Sequence, residues 1–406
     1  SQEHLFMISA LLVNGGNYLY NLLLGRVLGP EKFADAAIMI TFLLVLSFIA
    51  MTFQLVTSKF SIVFDDIVFK AFISNIYKKA IIVGVILGIV VVAYSSELQH
   101  FFNTKTEAMF IVFGIGVPFY FLMSVNRGVF QGKKQFNKLS ITYQLEMVSR
   151  LLITLGLLYF LKIESSVIIA IGIFCSLIFG LIPFKKVRIS FLERVSLDES
   201  QKKMVRNFFI ITAFYEFTQI IINNSDILLV KHYFEAHEAG LYASLALIGR
   251  VVYFIAWMFV MMLLPTVVQL KKEGKSTHLV LLKYVGYISF ISILIIFSCF
   301  LFPKEVILIL FGNDYLSIAP LLWKYALATS IFAVSNIFAY YYLSLDRYLP
   351  VVLSGLFGML QIILILGFHK SLEQVVFVQI IAMLLLLIVQ LSFFLLHEGK
   401  TIKKNI

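Results

Sequence analysis

Cysteine is nearly missing: Cys175 and Cys299 are the only two in 406 residues, and both fall inside apolar runs. Neither has a His or Cys partner at metal spacing, so a zinc site and a disulfide framework are both excluded, and the two thiols read as core residues. Charge is also scarce. Asp, Glu, Lys and Arg make up 14% of the chain against 61% hydrophobic residues, whereas soluble domains carry about 25% charge. A nucleotide-binding glycine loop, a metal-ligand cluster and a nucleophile–base spacing are all missing, and the longest polar segment is 185–206. No enzyme, cofactor or metal is therefore expected. Nor is there the alternating period of two that membrane barrels show, so the spanning elements are helices.

What remains is apolar length. Runs of about 20 mostly apolar residues, enough to cross ~30 Å of hydrocarbon as a helix, recur along the chain, whose mean hydropathy is +0.96. They place twelve spans near 5–25, 34–58, 80–96, 108–130, 139–161, 166–184, 207–230, 239–268, 280–302, 318–345, 349–368 and 373–396. The expectation is an all-α polytopic membrane protein. The chain begins at Ser1 without a Met or a basic stretch ahead of an apolar core. That start reads as lacking a cleavable leader and as falling a few residues into the protein.

Orientation follows from the basic residues. If the N-terminus is cytoplasmic, 22 of the 33 Lys and Arg lie in segments on that side and 7 on the other, with Arg127, Arg150, Arg250 and Lys324 inside spans. Such a bias predicts that both termini and the 185–206 segment are cytoplasmic. The net charge of +11 is then anchoring to one face of the bilayer, and no nucleic-acid partner is expected. One connection, "VFDDIVFKAFISNIYKKA", puts Phe64, Ile67, Val68, Ala71 and Phe72 on one helical face. It reads as an amphipathic helix lying in the inner headgroup region.

Six spans precede 185–206 and six follow. A shift of 205 residues lays "NLLLGRVLGPEKFADAA" (21–37) over "DILLVKHYFEAHEAGLY" (226–242), matching a span end, a short outer loop with a basic residue and the next span's start. The expected organisation is an N-terminal six-helix lobe over 1–190, a cytoplasmic linker over 191–206 and a C-terminal lobe over 207–406. Transporters commonly use such internal repeats, with the substrate path at the repeat interface.

The same shift pairs two polar stripes. Asn14, Asn17 and Asn21 stand at i, i+3 and i+7 of the first span, while Glu216, Gln219, Asn223 and Asp226 stand at i, i+3, i+7 and i+10 of the seventh. Each set occupies one side of its helix. Two readings compete: hydrogen-bond glue between helices, or the lining of a hydrated cavity. Glu216 favours the second, because a carboxylate about nine residues (~14 Å) deep costs roughly 2.5–3.5 kcal/mol if unpaired.

Arg250, eleven residues into the eighth span, lies at about the same depth, so Glu216 is its expected partner. A purely structural ion pair is the alternative. Glu216 is also the candidate for coupling to a proton or sodium gradient, since it is the deepest carboxylate. Glu146 and Arg150, spaced i, i+4, either pair with each other or line the cavity. Arg127 either snorkels inward or lines the cavity, and Lys324, beside Trp323, has the same choice toward the outer side.

Two stretches carry a family resemblance. "LLLGRVLGPEKFADAA" resembles the signature joining the first two spans of polysaccharide-biosynthesis membrane proteins, although "FADAA" stands where the family often has Gly-Leu-Tyr. "VILILFGNDYLSIAPLLWKYALAT" (306–329) is similar to the outer loop leading into their tenth span, and "EAGLYASLALIGR" is also motif-like. These are the lipid-linked oligosaccharide flippases of the multidrug/oligosaccharidyl-lipid/polysaccharide exporter superfamily.

The resemblance implies two pseudo-symmetric six-helix lobes around a central cavity lined by spans 1, 2, 7 and 8 and opened to each side in turn. It implies a bacterial cytoplasmic-membrane location, a polyprenyl-diphosphate glycan as substrate, and a polysaccharide polymerase and chain-assembly proteins as partners. A multidrug or cation antiporter of the same superfamily is the alternative, and a membrane-embedded polymerase is a more distant one. An anionic substrate calls for surplus positive charge in the cavity, and a cationic one for uncompensated acids.

Overall fold

The computed structural model describes residues 2–102, 104–184, 197–234 and 236–404; within these, some side chains, among them that of Arg250, lie outside the described set. Every regular element among the described residues is helical. Membrane crossing requires this, because hydrocarbon offers no partner for a free N–H or C=O.

Contacts divide the chain into two compact units, Ser1–Ala213 and Phe214–Ile406. The first contains α1 (Gln2–Val63), α2 (Asp66–Ala93), α3 (Ser95–Phe102), α4 (Ala108–Gly132), α5 (Phe136–Phe160) and α6 (Ser165–Phe179). The division falls inside α7 (Glu199–Tyr233). The second unit continues with α8 (Ala236–Lys272), α9 (His278–Leu301), α10 (Pro303–Leu310), a 3-10 stretch over Asn313–Leu321, α11 (Leu322–Ser344), α12 (Leu349–Gly367) and α13 (Leu372–Lys404).

Ten helices among the described residues are long and apolar enough to cross a membrane. The other two expected spans are the N-terminal arm of α1 and α6, which is apolar but only 15 residues long.

The expected loop over 26–33 is helical, within α1. The contacts of α1 show that its two arms run in opposite directions. Along the N-terminal arm, Phe6 meets Phe136, Gly16 meets Met147 and Tyr20 bonds Thr154, so this arm runs parallel to α5. Along the C-terminal arm, Phe42 meets Phe110, Phe53 meets Phe121 and Thr57 meets Gly128, so that arm runs parallel to α4. Since α4 and α5 form a hairpin closed over Lys133–Gln135, the chain must reverse between Tyr20 and Phe42. The two arms thus supply the first two expected spans.

The amphipathic helix expected in the 63–80 connection forms the first part of α2, continuous with the third expected span. Ile67, predicted on its apolar face, is 77% exposed, while Phe69, Phe72, Ile73, Ile76 and Tyr77 are buried. Packing on α4 selects that face. Glycines set the seams of α4: a Cβ on Gly88 of α2 would stand 2.5 Å from the carbonyl oxygen of Gly114, and one on Gly128 at 2.5 Å from that of Gln54 on α1. Backbone cannot yield as a side-chain tip can. Gly88→Leu is therefore expected to lower stability by about 3 kcal/mol or more, the upper part of the overpacking range. Gly156→Ala, which meets nothing within 4 Å, should leave melting of the detergent-solubilised protein unchanged.

The same packing scheme recurs in the second unit. In the first, α4 contacts the C-terminal arm of α1, α2 and α6, and α5 contacts α6; in the second, α11 contacts α8, α9 and α13, and α12 contacts α13. The N-terminal arm of α1 lies on α5 as α7 lies on α12, where Gln361 donates to the Ile222 carbonyl at 3.2 Å. Residues 185–196 of the expected linker lie outside the described residues, and 199–206 are helical as the start of α7. A reciprocal cap starts that helix: the Gln201 N–H donates to Asp198 Oδ1 at 2.7 Å and the Asp198 N–H to Gln201 Oε1 at 3.0 Å. The Gln201 N–H and the Ser200 hydroxyl hold the Asp198 carboxyl below its usual range.

Candidate functional site

The charged groups buried in the first unit gather around one carboxylate. Glu146 on α5 accepts from Arg127 on α4 at 2.7 Å and pairs through its other oxygen with Arg150, one turn further along α5. Arg127 also donates to the Thr142 hydroxyl at 3.0 Å and the Thr142 carbonyl at 2.9 Å, and its guanidinium lies 3.8 Å from the Tyr143 ring centre. Arg150 donates to Ser176 on α6 at 3.3 Å. Arg127 is 4% and Arg150 9% exposed, so both are buried, with the Arg150 side chain keeping 11% of its surface accessible. The inward snorkel open to Arg127 is not adopted, because Glu146 and Thr142 satisfy its donors inside. Two guanidiniums share one carboxylate, so the cluster carries one surplus positive charge.

The two polar stripes behave differently. On α7, Glu216 accepts from Tyr340 on α11 at 2.5 Å, and Gln219 accepts from Tyr253 on α8 at 3.2 Å. Asp226 Oδ2 accepts from Tyr242 at 3.0 Å, Tyr325 at 2.8 Å and Gln379 at 3.2 Å, which belong to α8, α11 and α13. Asn223 donates to the Gln219 carbonyl one turn back. Much of this stripe is therefore interhelical hydrogen bonding.

It is incomplete bonding, however. Asp226 Oδ1 and Gln219 Nε2 are buried without a partner, and no ion pair to Glu216 or Asp226 forms among the described residues. Arg250, the expected partner of Glu216, sits on α8 with its side chain outside the described residues.

On the N-terminal arm of α1, Asn14, Asn17 and Asn21 are half-buried and make no hydrogen bond among the described residues. Among the described residues these three carboxamides join no neighbouring helix. Lys324 pairs with Glu373 near an exposed end of the second unit and lies 6.0 Å from the Trp323 ring centre.

Several polar partners escaped the sequence reading. Gln54 and Gln131 join the α1–α4 seam at 2.9 Å, and Gln54 also donates to Tyr143 at 3.1 Å. In the second unit the missed groups are Tyr215, Tyr242, Tyr325, Tyr340, Asn336 and Gln379. The available signal was the density of tyrosine and amide in otherwise apolar helices, as in "NIFAYYYLS". Among the described residues no group of three or more His, Cys, Asp or Glu could hold a metal ion.

Solved transporters share this architecture. A MATE protein in its bent conformation superposes with a TM-score of 0.79 at 13% identity, covering 98% of this chain and 96% of that one. An outward-facing multidrug-resistance MATE transporter of the MOP superfamily gives 0.76 at 14% identity, covering 97% and 94%. A MOP-superfamily transporter from Pyrococcus furiosus, described as having a binding pocket of reverse polarity, gives 0.73 at 13% identity, covering 96% and 94%. At such identities the likeness shows the fold. A search of curated proteins found no match. The family model for polysaccharide biosynthesis proteins matches residues 23–320, the greater part of the chain. This multi-pass membrane protein of MATE-type fold belongs to the polysaccharide biosynthesis protein family.

Proposed function

We propose that the chain is a flippase that moves a polyprenyl-diphosphate-linked oligosaccharide across the cytoplasmic membrane by alternating access, for surface polysaccharide assembly. The observation carrying this reading is the Arg127–Glu146–Arg150 cluster, which keeps a surplus guanidinium charge inside a unit of a polysaccharide-biosynthesis protein. A hydrated diphosphate cannot enter hydrocarbon unaided, whereas its polyprenyl tail is at home there. Guanidinium suits phosphate because its planar fork meets two oxygens together. Glu216 is the group proposed to couple transport to a proton or sodium gradient. A polysaccharide polymerase and chain-assembly proteins would take up the product.

A cation antiporter is the second reading, favoured by Glu216 and Asp226, two buried carboxylates with no ion pair among the described residues. A deletion strain separates the two. The flippase reading expects loss of surface glycan and accumulation of a lipid-linked intermediate, reversed by the intact gene. Unchanged surface glycan, with new sensitivity to cationic drugs, would overturn it.

A further inference from the structure

The N-terminal arm of α1 carries a polar strip that the protein itself leaves unused. At 100° per residue, Asn17, Asn21, Asn14 and Tyr18 fall in that order within an arc of about 100°. On one side of the arc lies the face packed into the first unit, with Phe6, Val13, Tyr20 and Leu24 buried. On the other lies an exposed apolar sector that includes Leu5, Ile8, Leu11, Leu12 and Leu19.

The strip sits at the edge between them. Its three carboxamides are half-buried, Tyr18 is 39% exposed, and none of the four side chains has a hydrogen-bond partner among the described residues. Amides placed to join helices would have found partners, as those of α7 did. Amides placed against lipid tails would stand in hydrocarbon with all their bonds unmade.

The level of the strip along the unit says what it stands beside. On α5, Met147 packs against Gly16 and Thr154 bonds Tyr20 at 3.3 Å. Arg150 lies between those two positions, so the Arg127–Glu146–Arg150 cluster and the strip share a level of the first unit. The two differ in chemistry. The cluster offers charge. The strip offers neutral groups that both donate and accept, as a sugar hydroxyl does, and an aromatic ring face.

We propose that Asn14, Asn17, Tyr18 and Asn21 form a glycan-binding strip, in which the amides meet uncharged sugar hydroxyls and the Tyr18 ring stacks on the apolar face of a sugar. The inference rests on the flippase reading and divides its substrate: the diphosphate goes to the guanidinium cluster and the sugars to the strip. The Asn17 and Asn21 positions are about 6 Å apart along the axis, a separation that lets neighbouring amides address one sugar residue or the next. Sugar identity is then read by hydrogen bonding, which discriminates sharply because an unmatched hydroxyl leaves a polar group unpaired.

Two probes test the division on the full-length protein in nanodiscs: farnesyl diphosphate, which has no sugar, and the lipid-linked glycan extracted from the deletion strain. The combined variant Asn14→Ala, Asn17→Ala, Asn21→Ala is expected to bind the glycan lipid roughly 30-fold more weakly or worse, from several lost hydrogen bonds. Its affinity for farnesyl diphosphate should stay within about twofold, since no charge has changed. Tyr18→Ala should cost about tenfold on the glycan lipid alone, and Tyr18→Phe almost nothing, because stacking needs only the ring.

Melting of each variant guards against misfolding, and if the triple variant does not fold, the single substitutions carry the test. Equal weakening of both probes, or unchanged glycan-lipid binding, overturns the strip while leaving the flippase standing. Failure of the unaltered protein to bind either probe removes both.

Discussion

Glu146→Ala should be among the most destabilising single substitutions in this protein, lowering stability by about 3–5 kcal/mol, because it leaves two buried guanidiniums with no anion. The carboxylate accepts from Arg127 at 2.7 Å and also from Arg150, with side-chain exposures of 14%, 5% and 11% in the same order. The pair therefore cannot relax into water without moving α4 and α5 apart. Glu146→Gln should cost less, since the amide oxygen still accepts one bond while its amino group faces a cation. Adding Arg150→Met to Glu146→Ala should recover part of the loss by removing one unpaired charge. Thermal melting in detergent across this set tests the arrangement. An unchanged melting temperature for Glu146→Ala would mean that the three side chains do not form a buried cluster.

The spans were readable because their signal is local. Some 20 apolar residues in a row mean a crossing whatever their neighbours are, and the 205-residue shift found the repeat because both halves solve the same packing problem. Ile67 shows where that kind of reading ends. Its place in the pattern Phe64, Ile67, Val68, Ala71, Phe72 gave an apolar face, yet Ile67 is exposed and Phe69 buried, because the backbone seam between α2 and α4 decides which side of the helix turns inward. The connection over 26–33 likewise reads as a short outer loop, and it is assigned as helix within α1.

The charged and polar positions were also legible as rarities within apolar helices. Their partners were not. Tyr340 reaches Glu216 across 124 residues and Gln379 reaches Asp226 across 153, and one sequence does not record which distant hydroxyl faces which carboxylate. The two stripes correspond in position under the shift but differ in their hydrogen-bond partners. Asn14 and Gln219 correspond under the shift, but one amide is free among the described residues and the other accepts from Tyr253.

Glu216→Gln should have the opposite thermodynamic sign to Glu146→Ala while abolishing coupled transport. Glu216 is 6% exposed, accepts only from Tyr340 and forms no ion pair among the described residues. A lone carboxylate in a spanning helix costs roughly 2.5–3.5 kcal/mol. Gln keeps an acceptor for the Tyr340 hydroxyl and removes the charge, so the variant should melt higher. The proposed coupling role would account for an acid kept at such a cost, since an isolated carboxylate can take up and release a cation. Export by Glu216→Gln should then lose its dependence on the ion gradient.

Arg250 on α8 supplies the decisive control. If Arg250 binds the substrate diphosphate, Arg250→Ala abolishes export with melting unchanged, and Arg250→Lys restores only part, a point charge replacing a two-toothed fork. If Arg250 instead neutralises Glu216, then Glu216→Gln melts lower, Arg250→Ala melts lower still, and the double variant recovers both stability and export. Melting and surface glycan measured together in the three variants decide between a coupling acid and a buried ion pair. A double variant that exports fully and keeps its gradient dependence would show that neither residue takes part in transport.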